Sequence, residues 1–210
     1  MNSHALQARQ SRDEQGVYPF AALPVRLGFP SSRDFEVMHD DAGIATGVMA
    51  RRDFLRISRM CRVSGQLLPY RCRQSRQLQL GIHLYDPRFC GLLEHSCNPN
   101  VFLDMSELWL WALKDINNGD RLTMDYAATE DKLLRQFACQ CGSADCRGWI
   151  TGYDEPPNAD GQLFLLHWRR EVCVERRYNA PTGRKRYCGG SCSKPLIVAF
   201  RLFQRPSLMP

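Results

Sequence analysis

Cys139, Cys141 and Cys146 fall within eight residues, and a fourth cysteine, Cys97, stands upstream in Glu94-His95-Ser96-Cys97-Asn98-Pro99-Asn100. Four thiolates are the soft donor set that a structural zinc ion takes in a tetrahedron, and three cysteines so closely spaced cannot easily avoid facing a common centre. Cys97 would then tie a distant loop to that knot. The chain holds ten cysteines, so a coincidental group of free thiols is the plain alternative. The polar start Met1–Gln10 lacks the apolar stretch of a secretory signal. That favours reduced thiols and metal ligation over a disulfide framework, and makes a cytoplasmic location the expectation.

Two further motifs frame the cysteines. Gly119-Asp120-Arg121-Leu122-Thr123-Met124-Asp125-Tyr126 lies between Cys97 and Cys139, and Arg147-Gly148 follows Cys146. The order His-Ser-Cys-x-Pro-Asn, then Gly-Asp-x-Leu-Thr-x-Asp-Tyr, then Phe-x-Cys-x-Cys-Gly-x3-Cys-Arg-Gly resembles the SET-domain protein lysine methyltransferases with a cysteine-rich post-SET segment. The likeness covers residues 88–152 well and extends more weakly back to about residue 40. It implies a β-rich α+β protein: a SET fold of short strands with a knot-like crossing, plus a zinc-bound post-SET segment. It also implies S-adenosylmethionine as cofactor, entering from one face while a substrate lysine enters from the other.

Residue roles follow from the same resemblance. Tyr126 matches the catalytic tyrosine, whose hydroxyl orients the lysine amine and the reacting methyl. Gly47, with Val48 after it, matches the second glycine of the Gly-x-Gly cofactor turn, where close backbone approach needs a missing side chain. His95 matches the histidine whose backbone meets the adenine, and Phe137 matches an aromatic that covers it; an ordinary core phenylalanine is the plain alternative. Met124, Tyr126 and Val63 would line the lysine channel, and Cys97, Cys139, Cys141 and Cys146 would hold the zinc. Several positions depart from the pattern: Ala45 replaces the first glycine, Gly91-Leu92 an Arg-Phe, and Glu94 an asparagine that contacts the cofactor. A carboxylate at 94 can accept from the cofactor ammonium with charge assistance, or repel the cofactor carboxylate. Met124 stands where relatives carry phenylalanine or tyrosine, and Val63 where they often carry a second tyrosine, which implies a roomier, less polar channel and dimethyl or trimethyl product.

These residues must be positioned by one core. The 210-residue chain is 44% apolar, ordinary for a globular protein, and no run approaches a membrane span, so no membrane partner is expected. Residues 1–34 read as an irregular arm packing through Phe20, Leu23, Val25, Leu27 and Phe29, followed by the SET region at 35–127 and the post-SET segment at 128–153. A basic tail follows at 154–210. Gly43–Ala50 reads as a turn feeding a strand, Val101–Leu103 and Leu108–Leu113 as a hairpin, and Asn117-Asn118-Gly119-Asp120 as a tight turn. Residues 154–161 read as a linker and Leu163–Trp168 as the start of a helix. Cys188 and Cys192, with Cys173 and His167, offer a second zinc group or simply free thiols.

The net charge of +6 is carried almost wholly by arginine, and eight arginines lie between Arg51 and Arg76 with Asp53 the only acid among them. They suit an acidic partner or a solvated face equally. A lysine methyltransferase acting on a protein substrate is the leading reading, with nucleic acid a compatible but unneeded partner. The alternatives are a catalytically degenerate SET-like binding module and a basic zinc protein that binds nucleic acid.

Overall fold

The computed structural model describes residues 15–178, with side chains described through Trp168. Among these residues the fold is built from short strands and one long helix. β1 (Phe35–His39) and β2 (Ala45–Ala50) form an antiparallel hairpin, closed where Asp40 accepts from the backbone of Ala42 and Ile44 and Gly43 adopts a φ of 75°. β3 (Arg59–Arg62) and β4 (Gln66–Leu68) lead to β5 (Ser75–Gln79) and β6 (Ile82–Tyr85), which pair in the order β4-β6-β5. β7 (Glu94–His95) follows. β8 (Val101–Asp104) and β9 (Trp109–Ala112) form the expected hairpin, and β3 joins β9 to complete a three-stranded sheet. The turn of that hairpin is set by Asp104, whose carboxylate accepts from the backbone of Ser106 and Glu107, a local bond that competes with continued pairing.

β10 (Thr123–Met124) pairs parallel with β7, so that Thr123 faces Glu94 and Met124 faces His95. The turn before it behaves as the sequence implies, with Gly119 at a φ of 93° and Asp120 N–H donating to Asn117. Asn100 fastens the junction: its side-chain oxygen accepts from Thr123 N–H at 2.8 Å, and its amide donates to the Arg121 carbonyl at 2.8 Å. β11 (Phe137–Ala138) and β12 (Trp149–Ile150) then close a hairpin around the three clustered cysteines.

Apolar alternation on these strands buries a core that includes Phe35, Phe54, Phe89, Leu93, Val101, Leu103, Leu110, Ile116 and Leu122. Phe35 stacks on Phe54 at 5.4 Å between ring centroids and meets Phe89 edge-on at 5.0 Å. Each such ring contributes about 2–3 kcal/mol by its burial.

Three expectations need correction. In the N-terminal arm, Phe20 and Leu27 are half exposed, and the anchor is Tyr18, which is buried and donates its hydroxyl to Asp86 at 2.8 Å. Asp86 satisfies itself further on the backbone N–H groups of Arg88, Phe89 and Cys90, so a polar pair is tolerated where two more apolar side chains seemed required. The helix α1 (Ala159–Tyr178) begins inside the stretch read as linker. Asn158 starts it as a cap, its side chain accepting from Gly161 N–H at 2.9 Å. Phe164 then packs on Trp149 at 5.6 Å, and Trp168 lies so close to Gly148 that a Cβ there would sit 2.9 Å from the indole. Finally, the arginine run is not uniformly a surface: Arg76 is only 6% exposed. The proposed second metal group falls on Cys173, Cys188 and Cys192, outside the described side chains, while His167 is exposed on α1. Among the described residues no helix is long and apolar enough to cross a membrane.

Candidate active site

Parallel pairing of β7 with β10 sets the two central motifs side by side. From there the chain turns at Asp125, whose carboxylate caps Ala127, and presents Tyr126. The Tyr126 hydroxyl donates to the Leu93 carbonyl at 2.9 Å, and its ring meets His95 at 5.3 Å and Phe137 at 6.2 Å. His95 and Phe137 are themselves 5.8 Å apart, so β7, the turn after β10 and β11 contribute one ring each to a three-sided aromatic cluster. This cluster forms the floor of a cleft of about 570 Å³, whose walls are Glu94, Arg121 and the segment Ala138–Cys141.

Arg76 supports the floor from below. Its guanidinium lies 4.8 Å from the Tyr126 ring centroid and donates to the carbonyls of Gly91 and Leu93 at 3.2 and 3.0 Å. The Leu93 carbonyl therefore accepts from both Arg76 and Tyr126, which fixes the tyrosine hydroxyl relative to a buried cation. Gly91 is needed here for a steric reason. A Cβ would lie 2.1 Å from the Asp86 carbonyl oxygen and 2.2 Å from that of Gln74, so no larger residue fits this backbone.

The four cysteines converge as their spacing implies. Their sulfur atoms lie within 4.8 Å of one another, with Cys97 to Cys139 at 3.8 Å. A zinc tetrahedron with Zn–S bonds of about 2.3 Å has edges of about 3.8 Å, so the donor set fits that ion in chemistry and in size. Backbone N–H groups already point at the sulfurs, with Arg147 donating to Cys97 at 3.3 Å and Gly148 to Cys146 at 3.4 Å. Burial raises the thiols of Cys97 and Cys139. At Cys141 burial acts in the same direction, but N–H donation from the backbone of Cys97 and Ser143 outweighs it and brings the thiol down to about 6.

Arg147 links this cluster to the tyrosine. Its guanidinium pairs with Asp125 at 2.5 Å, and Asp125 lies 3.8 Å from His95 Nδ1. Burial pushes the His95 imidazole down to about 4, Asp125 opposing and Arg147 reinforcing the shift. His95 is thus a neutral ring at physiological pH, and its Nδ1 takes the Tyr126 backbone N–H at 3.4 Å as acceptor.

Glu94, His95, Tyr126 and Phe137 are brought together at the cleft. Gly47 lies immediately behind it, where a Cβ would stand 3.4 Å from the Glu94 carboxyl carbon. Val48, Val63 and Met124 are core residues at 1%, 2% and 1% exposure. Residues that sequence reasoning passed over are Arg76, Arg121, Asp125 and Arg147. Arg121, Asp125 and Arg147 lie inside the quoted motifs, whereas Arg76 carries no local signal.

Residues 45–127 match the SET domain family. That stretch is similar to SET domains. A histone-lysine N-methyltransferase specific for H3 lysine 9 from Schizosaccharomyces pombe is 37% identical over 83 residues, covering 28% of this chain and 16% of the relative. The methyltransferase flvH of Aspergillus flavus is 40% identical over 76 residues, covering 35% of this chain and 41% of the relative. The chain therefore spans less than half the length of either. Among solved structures, KRYPTONITE in complex with mCHG DNA and SAH aligns with a TM-score of 0.44 at 22% identity, over 55% of this chain and 28% of that one.

Proposed function

We propose that the protein is an S-adenosylmethionine-dependent protein-lysine N-methyltransferase whose post-SET wall is held by one zinc ion. The observation that carries this reading is the meeting of Glu94, His95, Tyr126 and Phe137 at one cleft in a region similar to SET domains, with Cys139 and Cys141 of the four-thiol cluster lining the same cleft.

The residues fit the cofactor. Gly47 leaves bare backbone beside the cleft, Phe137 and His95 offer aromatic faces for a purine, and Glu94 and Arg121 offer charges for an amino-acid end. When bound, S-adenosylmethionine supplies an electrophilic methyl on a sulfonium; the new bond is nitrogen to carbon, the carbon–sulfur bond breaks, and the amine proton is lost. The chain's own work is placement. Tyr126, held on the Leu93 carbonyl and stacked against Arg76, presents its hydroxyl at a fixed point where an amine can be aligned, and such alignment supplies much of the rate of a displacement. In this reading the apolar, buried side chains of Met124 and Val63 border the lysine channel and offer no stabilisation to an ammonium, which favours the neutral, nucleophilic lysine. Zinc would be held by Cys97, Cys139, Cys141 and Cys146, and its binding would fold the loop that places Phe137.

The protein is to be incubated with cofactor bearing a deuterated methyl and with core histones or a lysate, and lysine peptides read by mass spectrometry. Label on lysine is the expected result. Tight cofactor binding with no labelled lysine in any fraction would instead favour a non-catalytic binding module.

A further inference from the structure

The cleft wall contains one ion pair that the family resemblance does not account for. Arg121 Nη1 lies 3.0 Å from both carboxylate oxygens of Glu94. Each partner is placed by the strands at the cleft. Glu94 begins β7, while Arg121 precedes β10 and bridges to Met49 of β2, the strand that carries Gly47. The Glu94 side chain covers Gly47, so any ligand that approaches that bare backbone must displace Glu94 or contact it.

We infer that Glu94 and Arg121 form a clamp for a zwitterionic amino-acid end, with Glu94 taking its ammonium and Arg121 its carboxylate. The inference rests on the cofactor reading above and adds to it a specificity residue, Arg121. Three observations carry it. First, charge balance: a carboxylate alone at position 94 would repel the ligand carboxylate, whereas a neutral pair receiving a neutral zwitterion leaves no charge without a partner. Second, donor capacity: Arg121 spends only Nη1 on Glu94, which leaves Nη2 and Nε open to a second carboxylate in the fork geometry that guanidinium favours. Third, low cost of opening: the side chains are 54% and 34% exposed, and ion pairs at such exposure contribute little to stability, so the pair can part around a ligand.

The clamp predicts a selectivity. S-adenosylhomocysteine carries the amino-acid end and 5′-methylthioadenosine lacks it, while both share the thioether nucleoside. Calorimetry with these two probes on the wild-type chain, Glu94→Gln and Arg121→Gln separates the contributions. S-adenosylhomocysteine affinity should fall by about 10- to 100-fold in each variant, the range for losing a charge-assisted hydrogen bond, while 5′-methylthioadenosine affinity stays within about twofold. Thermal melts of the variants should match the wild type, since the pair is surface-exposed. Equal weakening of both ligands, or no change in either, would overturn the clamp while leaving the cofactor reading intact. A wild-type chain that binds neither ligand would remove the cofactor reading, and the clamp with it.

Discussion

Gly47→Ala separates the demands of folding from those of binding. A Cβ at this position would lie 3.4 Å from the Glu94 carboxyl carbon, 3.5 Å from Oε2 and 3.6 Å from Cγ, all ordinary contacts. Gly47 also has no left-handed φ to strain, and it pairs with Met38 beside an irregularity in the β1–β2 register. Alanine in such a strand restricts the unfolded chain more than the folded one, worth about 0.5–1 kcal/mol of added stability. For a unit of this size that is a rise of roughly 1–4 °C in Tm. Binding should move the other way. The added methyl occupies the contact that the ligand's amino-acid end must make, and forcing such an overlap costs about 1–3 kcal/mol, or roughly 5- to 150-fold in Kd. The assay is differential scanning fluorimetry beside calorimetry with S-adenosylhomocysteine. Gly91→Ala is the contrasting control: with backbone oxygens 2.1 and 2.2 Å from its Cβ, it should prevent a cooperative melt altogether. A Gly47→Ala chain that melts several degrees lower, or binds as tightly as the wild type, would refute the placement of Gly47 beside the ligand.

Other substitutions probe the remaining parts. Cys141→Ser should lower metal content below one zinc per chain and expose residues 137–150 to proteolysis, measured by elemental analysis and limited digestion, because serine is a poor zinc ligand. Tyr126→Phe removes the hydroxyl bonded to Leu93 and should cut methyl transfer by about two orders of magnitude or more with cofactor Kd within a few fold, read by single-turnover kinetics. Met124→Tyr adds a hydroxyl at a buried position proposed to border the lysine channel and should shift the product from dimethyl or trimethyl toward monomethyl lysine in time-resolved mass spectrometry. Glu155→Gln tests a pH-dependent brace. Burial raises the Glu155 carboxyl, but N–H donation from Gly152 at 2.7 Å and Leu133 at 2.8 Å prevails and holds it below the usual range. A depressed folded pKa gives stability that is present above the unfolded pKa and lost as pH falls through the folded one. The variant should therefore melt lower at neutral pH, by about 1 kcal/mol after solvent screening, and the gap should close on acidification.

What was legible in the sequence is what short-range chemistry dictates. The β8–β9 hairpin follows from apolar and aromatic residues around an Asp-led turn, and the reversal at Asn117–Asp120 from a glycine that accepts positive φ. The cysteine cluster is of the same kind, because three ligands within eight residues meet almost regardless of the rest of the chain. The N-cap of α1 belongs here too, although residues 154–161 read as a linker: asparagine before a helical run is the residue that satisfies its first N–H groups, and Asn158 does so.

The remainder depends on partners that only folding supplies. Nothing near Arg76 marks it as interior, since the arginines around it are mostly exposed; it is buried because the loop at Gly91–Leu93 turns its carbonyls inward and requires a donor there. The same logic applies to Glu94. Taken alone it is a departure that places a negative charge where a ligand carboxylate is expected, and a single-site reading leaves attraction and repulsion evenly matched. Its partner Arg121 stands between Gly119-Asp120 and Leu122-Thr123, and the parallel register of β7 with β10 brings the two within 3.0 Å. A departure that looks unfavourable in isolation becomes half of a neutral pair once the strands are paired. A double-mutant cycle across them should accordingly show strong non-additivity in ligand affinity and almost none in melting temperature, because their coupling is expressed through what they hold and not through the fold.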